Sequence, residues 1–170
     1  MSKTIIFIIC AIVVLSLAIF LGSKYLGQGK GQGNVRGVSS YVKDDPAAPK
    51  LDLTEKTFEF GKIQISDVAK HDFKIKNIGK NPLVISSLTT SCHCTSAILK
   101  VPGQDDTPAT GMHKMQPWTR EIVTGGEAVV EVIYEPAKMP VRGAVNRIIY
   151  LQTNDPNNSD PKLEINAEVL

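Results

Sequence analysis

From about residue 50 to the C-terminus, apolar and polar residues alternate with period two, and this constrains the fold more than any other feature. In Lys162–Leu170, the residues Leu163, Ile165, Ala167 and Val169 fall on one side, opposite Glu164, Asn166 and Glu168. Successive side chains of a strand point to opposite faces, whereas an amphipathic helix needs apolar residues three and four apart. The same pattern sets His71, Phe73 and Ile75 against Asp72, Lys74 and Lys76, and places Phe58 and Phe60 on one face. Leu83–Leu88 and Glu127–Glu135 read as further strands, the latter with Ala128, Val130, Val132 and Tyr134 on one side. Gly143–Thr153 is longer and carries apolar residues on both faces, as a central strand does. Turn residues such as Asn77-Ile78-Gly79-Lys80-Asn81-Pro82 and Asn154-Asp155-Pro156 separate these runs. About seven short strands without helical periodicity predict an all-β antiparallel β-sandwich.

The N-terminus is different. Thr4–Ser23 holds no charged residue, and Ile5–Leu21 is almost wholly aliphatic. A helix of roughly 20 residues crosses a hydrocarbon core about 30 Å thick, so residues 1–26 predict a single transmembrane anchor. A cleaved signal peptide would show a shorter apolar region and a small-x-small site, which neither Leu17-Ala18-Ile19 nor Leu21-Gly22-Ser23 supplies. Cys10 follows Ile8-Ile9, without the small residue that lipid attachment would need. Glycine at every second position of Gly27–Gly33 makes a flexible tether, and Asp45-Pro46-Ala47-Ala48-Pro49 is a stiff lead-in. The organisation expected is an anchor over 1–26, a linker over 27–49 and a domain over 50–170. Lysines are more numerous after the apolar segment than before it, which by the positive-inside bias favours a cytoplasmic domain. Against that stand the very short N-terminal tail and the common export design of one anchor followed by one domain.

The whole chain has 170 residues and a net charge of +2 with both signs interspersed, so no basic stripe points to nucleic acid. No glycine-rich phosphate loop follows a strand, which removes nucleotide binding. Serines near the cysteine stretch lack an orienting carboxylate, so no hydrolytic centre is marked and no enzyme is expected. Only three cysteines occur, which is no disulfide framework.

Two of those cysteines lie in Ser91-Cys92-His93-Cys94-Thr95. In an extended segment Cys92 and Cys94 would face one way and His93 the other. Two thiols facing one space can bind a soft metal, form a disulfide, or fill a core. The residue pattern leaves all three open.

Phe58-x-Phe60-Gly61-x-Ile63, Phe73-x-Ile75-x-Asn77-x-Gly79 and Pro82-Leu83-x-Ile85 resemble the bacterial family called domain of unknown function 1573. That family carries Cys-Gly-Cys-Thr where this chain has Cys92-His93-Cys94-Thr95. Gly126-Glu127-Ala128 and Thr153-Asn154-Asp155-Pro156 continue the likeness, which spans roughly residues 50–170. The resemblance implies an immunoglobulin-like sandwich related to Hydin-like domains, exported and anchored at its N-terminus. It therefore favours a domain outside the cytoplasmic membrane. It implies no activity, because a shared fold does not confer function.

Two departures from the family stand out: His93 replaces a glycine, and Lys100–Arg120 is a long connection without strand pattern. Such loops are often functional. This one contains Met112 and His113, then Met115 and Trp118. With Cys92 and Cys94 it supplies thiolate, thioether and imidazole donors, the soft set suited to Cu(I). Cys92, Cys94, His113 and Met112 are thus the candidate metal ligands, with Trp118 as a cover. The bland alternative is a Met/Trp lid over small core-filling cysteines or a local disulfide. Zinc fits less well, since a second ligand pair is missing, and His71 reads as a packed residue. A thiol–disulfide redox role needs a cation or helix N-terminus at the thiols, for which His93 and Lys114 are the visible candidates. The base expectation is a membrane-anchored interaction module with an unidentified protein partner; the alternatives are Cu(I) binding and thiol–disulfide exchange.

Overall fold

The structure is a computed structural model that describes residues 41–113 and 117–170. The expected anchor, the tether through residue 40, Cys10, Lys114 and Met115 lie outside the described residues. Among the described residues, no helix is long and apolar enough to cross a membrane.

Nine strands form the described part: β1 (Leu51–Leu53), β2 (Thr57–Ile63), β3 (Ala69–Asn77), β4 (Leu83–Thr90), β5 (Thr95–Lys100), β6 (Arg120–Ile122), β7 (Glu127–Tyr134), β8 (Gly143–Thr153) and β9 (Lys162–Val169). One 3-10 turn, Pro136–Lys138, interrupts the connection from β7 to β8. The strands make a four-stranded sheet in the order β1-β3-β7-β5 and a five-stranded sheet in the order β2-β9-β8-β4-β6. The chain changes sheet at each connection up to β8, and only β8 and β9 are consecutive partners. The all-β sandwich is therefore confirmed.

The core lies between the inner faces, where the alternating rows meet. Phe73 and Ile75 of β3, Val130 and Val132 of β7, Leu83 and Ile85 of β4, Ile149 and Leu151 of β8, and Leu163 and Ile165 of β9 are all essentially inaccessible. β8 pairs with β9 on one side and β4 on the other, so it is indeed central. His71 packs as expected, its ring stacked 3.5 Å from that of Phe58 and edge-on to Phe73.

The expectation of a wholly antiparallel sandwich is corrected at one edge, where β2 runs parallel to β9. Alternation of apolar residues decides which face is buried and carries no information about strand direction. The β2 register also slips between Glu59 and Lys62, around Gly61 at φ 69°. A bulge with its glycine in the left-handed region twists this exposed edge.

The motifs that carry the resemblance turn out to build the scaffold. The buried Asn77 amide accepts from Gly79 N at 2.9 Å and Lys50 N at 3.3 Å. It donates to the carbonyls of Asn81 and Ile122, both at 2.9 Å. Gly79 runs so close to the lead-in that a Cβ would sit 2.3 Å from Lys50 N. The buried Asp155 carboxylate accepts from Leu51 N at 2.9 Å and Asn157 N at 2.8 Å, which ties the start of the domain to the β8–β9 connection.

The long loop has a structural task as well. Thr110 forms a two-way bridge with Ala97, and Thr107 N and Oγ1 pair with Leu99 O and N. The loop thus covers the free edge of β5, a common protection against edge-to-edge association.

Candidate functional site

Ser91–Cys94 is the connection that carries the chain from the end of β4 in one sheet to the start of β5 in the other. It is a turn, not extended chain: Thr95 N bonds back to Cys92 O at 3.2 Å. The Thr90 hydroxyl lies 2.9 Å from the carbonyls of both Cys92 and Thr95. Ser91 fastens the turn to β8, its N donating to Ile148 O and its Oγ accepting from Ile148 N, each at 2.9 Å. On the other side Glu135 N donates to Cys94 O at 2.8 Å. The turn is thus fastened to the middle of β8 and to the end of β7, which fixes it firmly.

Within it, Cys92 and Cys94 are joined in a disulfide, with their Cα atoms 5.2 Å apart. Both are buried, and Cys94 wholly so. His93 between them is exposed. The strand alternation assumed for this stretch is replaced by a turn, yet the outcome is similar: sulfurs inward, imidazole outward.

The surroundings of the two sulfurs differ. Arg147 of β8 donates from Nε to Cys94 Sγ at 3.1 Å, and its guanidinium carbon lies 5.8 Å from the centre of the Tyr134 ring. Nη1 of the same residue donates to Asn146 O at 2.8 Å. Arg147 occupies the inner row of β8, between the buried Val145 and Ile149. Cys92 Sγ instead meets Met139 Sδ at 3.6 Å, and Met139 is 45% exposed.

Of the four expected metal ligands, Cys92 and Cys94 are together, but bonded to each other. His113 comes near the turn, its ring centre 5.0 Å from that of His93. Met112 is largely exposed, and the thioether that reaches the sulfurs belongs to Met139. Trp118 packs against the core. Among the described residues, no group of three or more His, Cys, Asp or Glu is arranged to hold a metal ion. A disulfide offers no thiolate, so soft-metal binding at this place would first require reduction.

Two residues that matter here escape a reading of the cysteine neighbourhood alone. Arg147 leaves a signal, a lone cation in the apolar row Val145-x-Arg147-x-Ile149-x-Leu151. Met139 leaves none, since it sits 47 positions from Cys92 in an irregular connection.

Comparison with known proteins gives the following. Residues 51–102 match the family model described as "Protein of unknown function (DUF1573)". That match supports the resemblance over the segment from β1 to just past β5, including the cysteine turn. No curated protein matches the chain. A solved structure of a protein of unknown function from Porphyromonas gingivalis is similar with a TM-score of 0.55 and 21% identity. The likeness covers 73% of this chain and 49% of that one, so this chain spans about half of that protein's length. It shows the fold alone. An ASH/PapD-like domain of human CEP192 aligns with a TM-score of 0.49 and 15% identity, covering 79% of this chain and 96% of that one. The periplasmic chaperone SfaE aligns with a TM-score of 0.41 and 8% identity, over 71% and 58% of the respective chains.

Proposed function

We propose that this chain is a membrane-anchored, extracytoplasmic immunoglobulin-like interaction module that meets a protein partner with the end of the sandwich carrying the Cys92–Cys94 turn. The carrying observation is that exposed side chains of two separate connections, Met139 and His113, reach this turn. Met139 lies on the Cys92 sulfur, and His93 lies beside His113. Met112 and Val141, 47% and 46% exposed, are close in sequence to these residues. Unbranched methionines repack readily around a partner, which suits a recognition surface. Other exposed apolar residues, such as Ile78 and Val123, belong to connections at the opposite strand ends, where isolated exposure is ordinary.

The disulfide supports the location, because such bonds persist in oxidising compartments outside the cytoplasm. The apolar N-terminal segment supports a single anchor, and the disulfide favours Met1–Lys3 inside and the domain outside, against the lysine bias. Binding, with no catalysis and no nucleic acid, is the whole of this reading.

The test is site-specific photo-crosslinking in cells that make the full chain. A photoreactive residue at position 112 or 139 should yield one and the same protein adduct, which Val141→Asp removes. The same probe at position 78 or 123 should yield none. Equal adducts from both ends, or none from the cysteine end, would overturn the reading.

A further inference from the structure

We propose that Cys92–Cys94 is a thiol–disulfide exchange centre for a partner dithiol, polarised so that Cys92 Sγ receives the nucleophile and Cys94 Sγ leaves. The two sulfurs are set up for unlike roles. Cys94 is completely buried and receives the Arg147 Nε–H at 3.1 Å. Guanidinium stays charged at any relevant pH, so an electron pair arriving on Cys94 meets a fixed cation. A better-stabilised leaving thiolate departs faster and favours the reduced state. Cys92, at 7% the less deeply buried of the two, lies against Met139, a cover whose side chain is unbranched and 45% exposed. Cys94 N donates to Cys92 Sγ at 3.1 Å, and the bonds from Ile148 N to Ser91 Oγ and from the Thr90 hydroxyl to Cys92 O hold the turn in place once the sulfurs part.

The exchange balances in two steps. A thiolate of the partner attacks Cys92 Sγ, a partner–Cys92 disulfide forms, the Cys92–Cys94 bond breaks, and the electron pair goes to Cys94 Sγ beside Arg147. The partner's second thiol loses its proton to solvent and attacks the partner sulfur of that mixed disulfide, which expels Cys92 as thiolate. The partner dithiol is oxidised to a disulfide, and the Cys92/Cys94 pair is reduced by two electrons. This goes beyond the interaction reading and does not rest on it, since a small thiol needs no docking surface to reach Cys92.

The experiment uses the full chain in detergent micelles, in a Cys10→Ser background, equilibrated in glutathione buffers and read by alkylation and mass spectrometry. The wild-type pair should exchange while the chain stays folded. Arg147→Gln should shift the equilibrium toward the disulfide by at least about tenfold, or about 30 mV, and slow reduction by dithiothreitol. Arg147→Lys should recover most of both, and Met139→Ala should speed reduction without moving the equilibrium. With oxidised glutathione, the Cys94→Ser chain should form a mixed disulfide at Cys92 at least about tenfold faster than the Cys92→Ser chain does at Cys94. An inert pair in the folded chain, or Arg147→Gln constants equal to wild type, would overturn the proposal. So would the opposite order of the two cysteine variants, which also decides the matter if Arg147→Gln does not fold.

Discussion

Arg147 Nε stands 3.1 Å from Cys94 Sγ, in a row of β8 that is otherwise apolar and turned to the core. A guanidinium in such a row loses part of its hydration. The Tyr134 ring, the Asn146 carbonyl and the sulfur restore some of that loss. The arrangement is a poor way to stabilise a sandwich and a good way to hold charge on a sulfur.

That contrast is testable through stability. Arg147→Met keeps the length of the side chain and removes the charge, and buried charges replaced by apolar groups often leave stability unchanged or raised. The urea midpoint of the variant should equal or exceed that of wild type. A loss above about 1 kcal/mol would make Arg147 a structural residue.

The disulfide itself should contribute little to stability. In the chain-entropy treatment, closing a loop of three residues removes roughly 1.5 kcal/mol from the unfolded state's favour. Reduction should therefore lower the unfolding free energy by about that amount and leave the far-ultraviolet circular dichroism unchanged. Collapse of the fold on reduction would contradict this.

Asn77 carries more. Its amide satisfies two backbone N–H groups and two carbonyls in a buried setting. Asn77→Ala strands several of them at once, at about 1–3 kcal/mol for each group left unpaired and buried. The variant should lose at least about 3 kcal/mol in urea unfolding, and a loss below 1 kcal/mol would contradict the role.

On the outer face of the four-stranded sheet, Glu131 pairs with Lys100 and lies 3.8 Å from Lys70. The hydrogen bond from Lys100 holds the Glu131 carboxyl below its ordinary range, against an opposing effect of burial. A depressed folded-state value means stability that is present above the ordinary carboxylate range and lost as pH falls through the folded one. Glu131→Gln should cost up to about 1 kcal/mol at pH 7, and the difference should vanish on acidification. A gap that stays constant from neutral to acid pH would contradict the pairing.

Much of the fold was legible because alternation reports burial directly: the inner rows of β3, β7, β8 and β9 coincide with the apolar positions in the sequence. Alternation is silent on direction, and so the parallel β2–β9 pair was not legible. The short strands β1 and β6, three residues each, are too brief to show a period. At the cysteine turn the pairing of the two sulfurs was one of three readings. Arg147 and Met139 reach it from β8 and from the β7–β8 connection, a convergence created by tertiary structure alone.

The bond between Cys92 and Cys94 underlies both the proposed location and the proposed exchange chemistry, and its state in cells is the most direct thing to measure. Cells making the full chain are quenched in acid, denatured, alkylated without reductant, and the cysteine peptides are weighed. The prediction is an alkylated Cys10 and an unalkylated Cys92–Cys94 peptide lighter by two hydrogens than its dithiol form. A chain alkylated at both Cys92 and Cys94 would contradict an oxidised, extracytoplasmic pair.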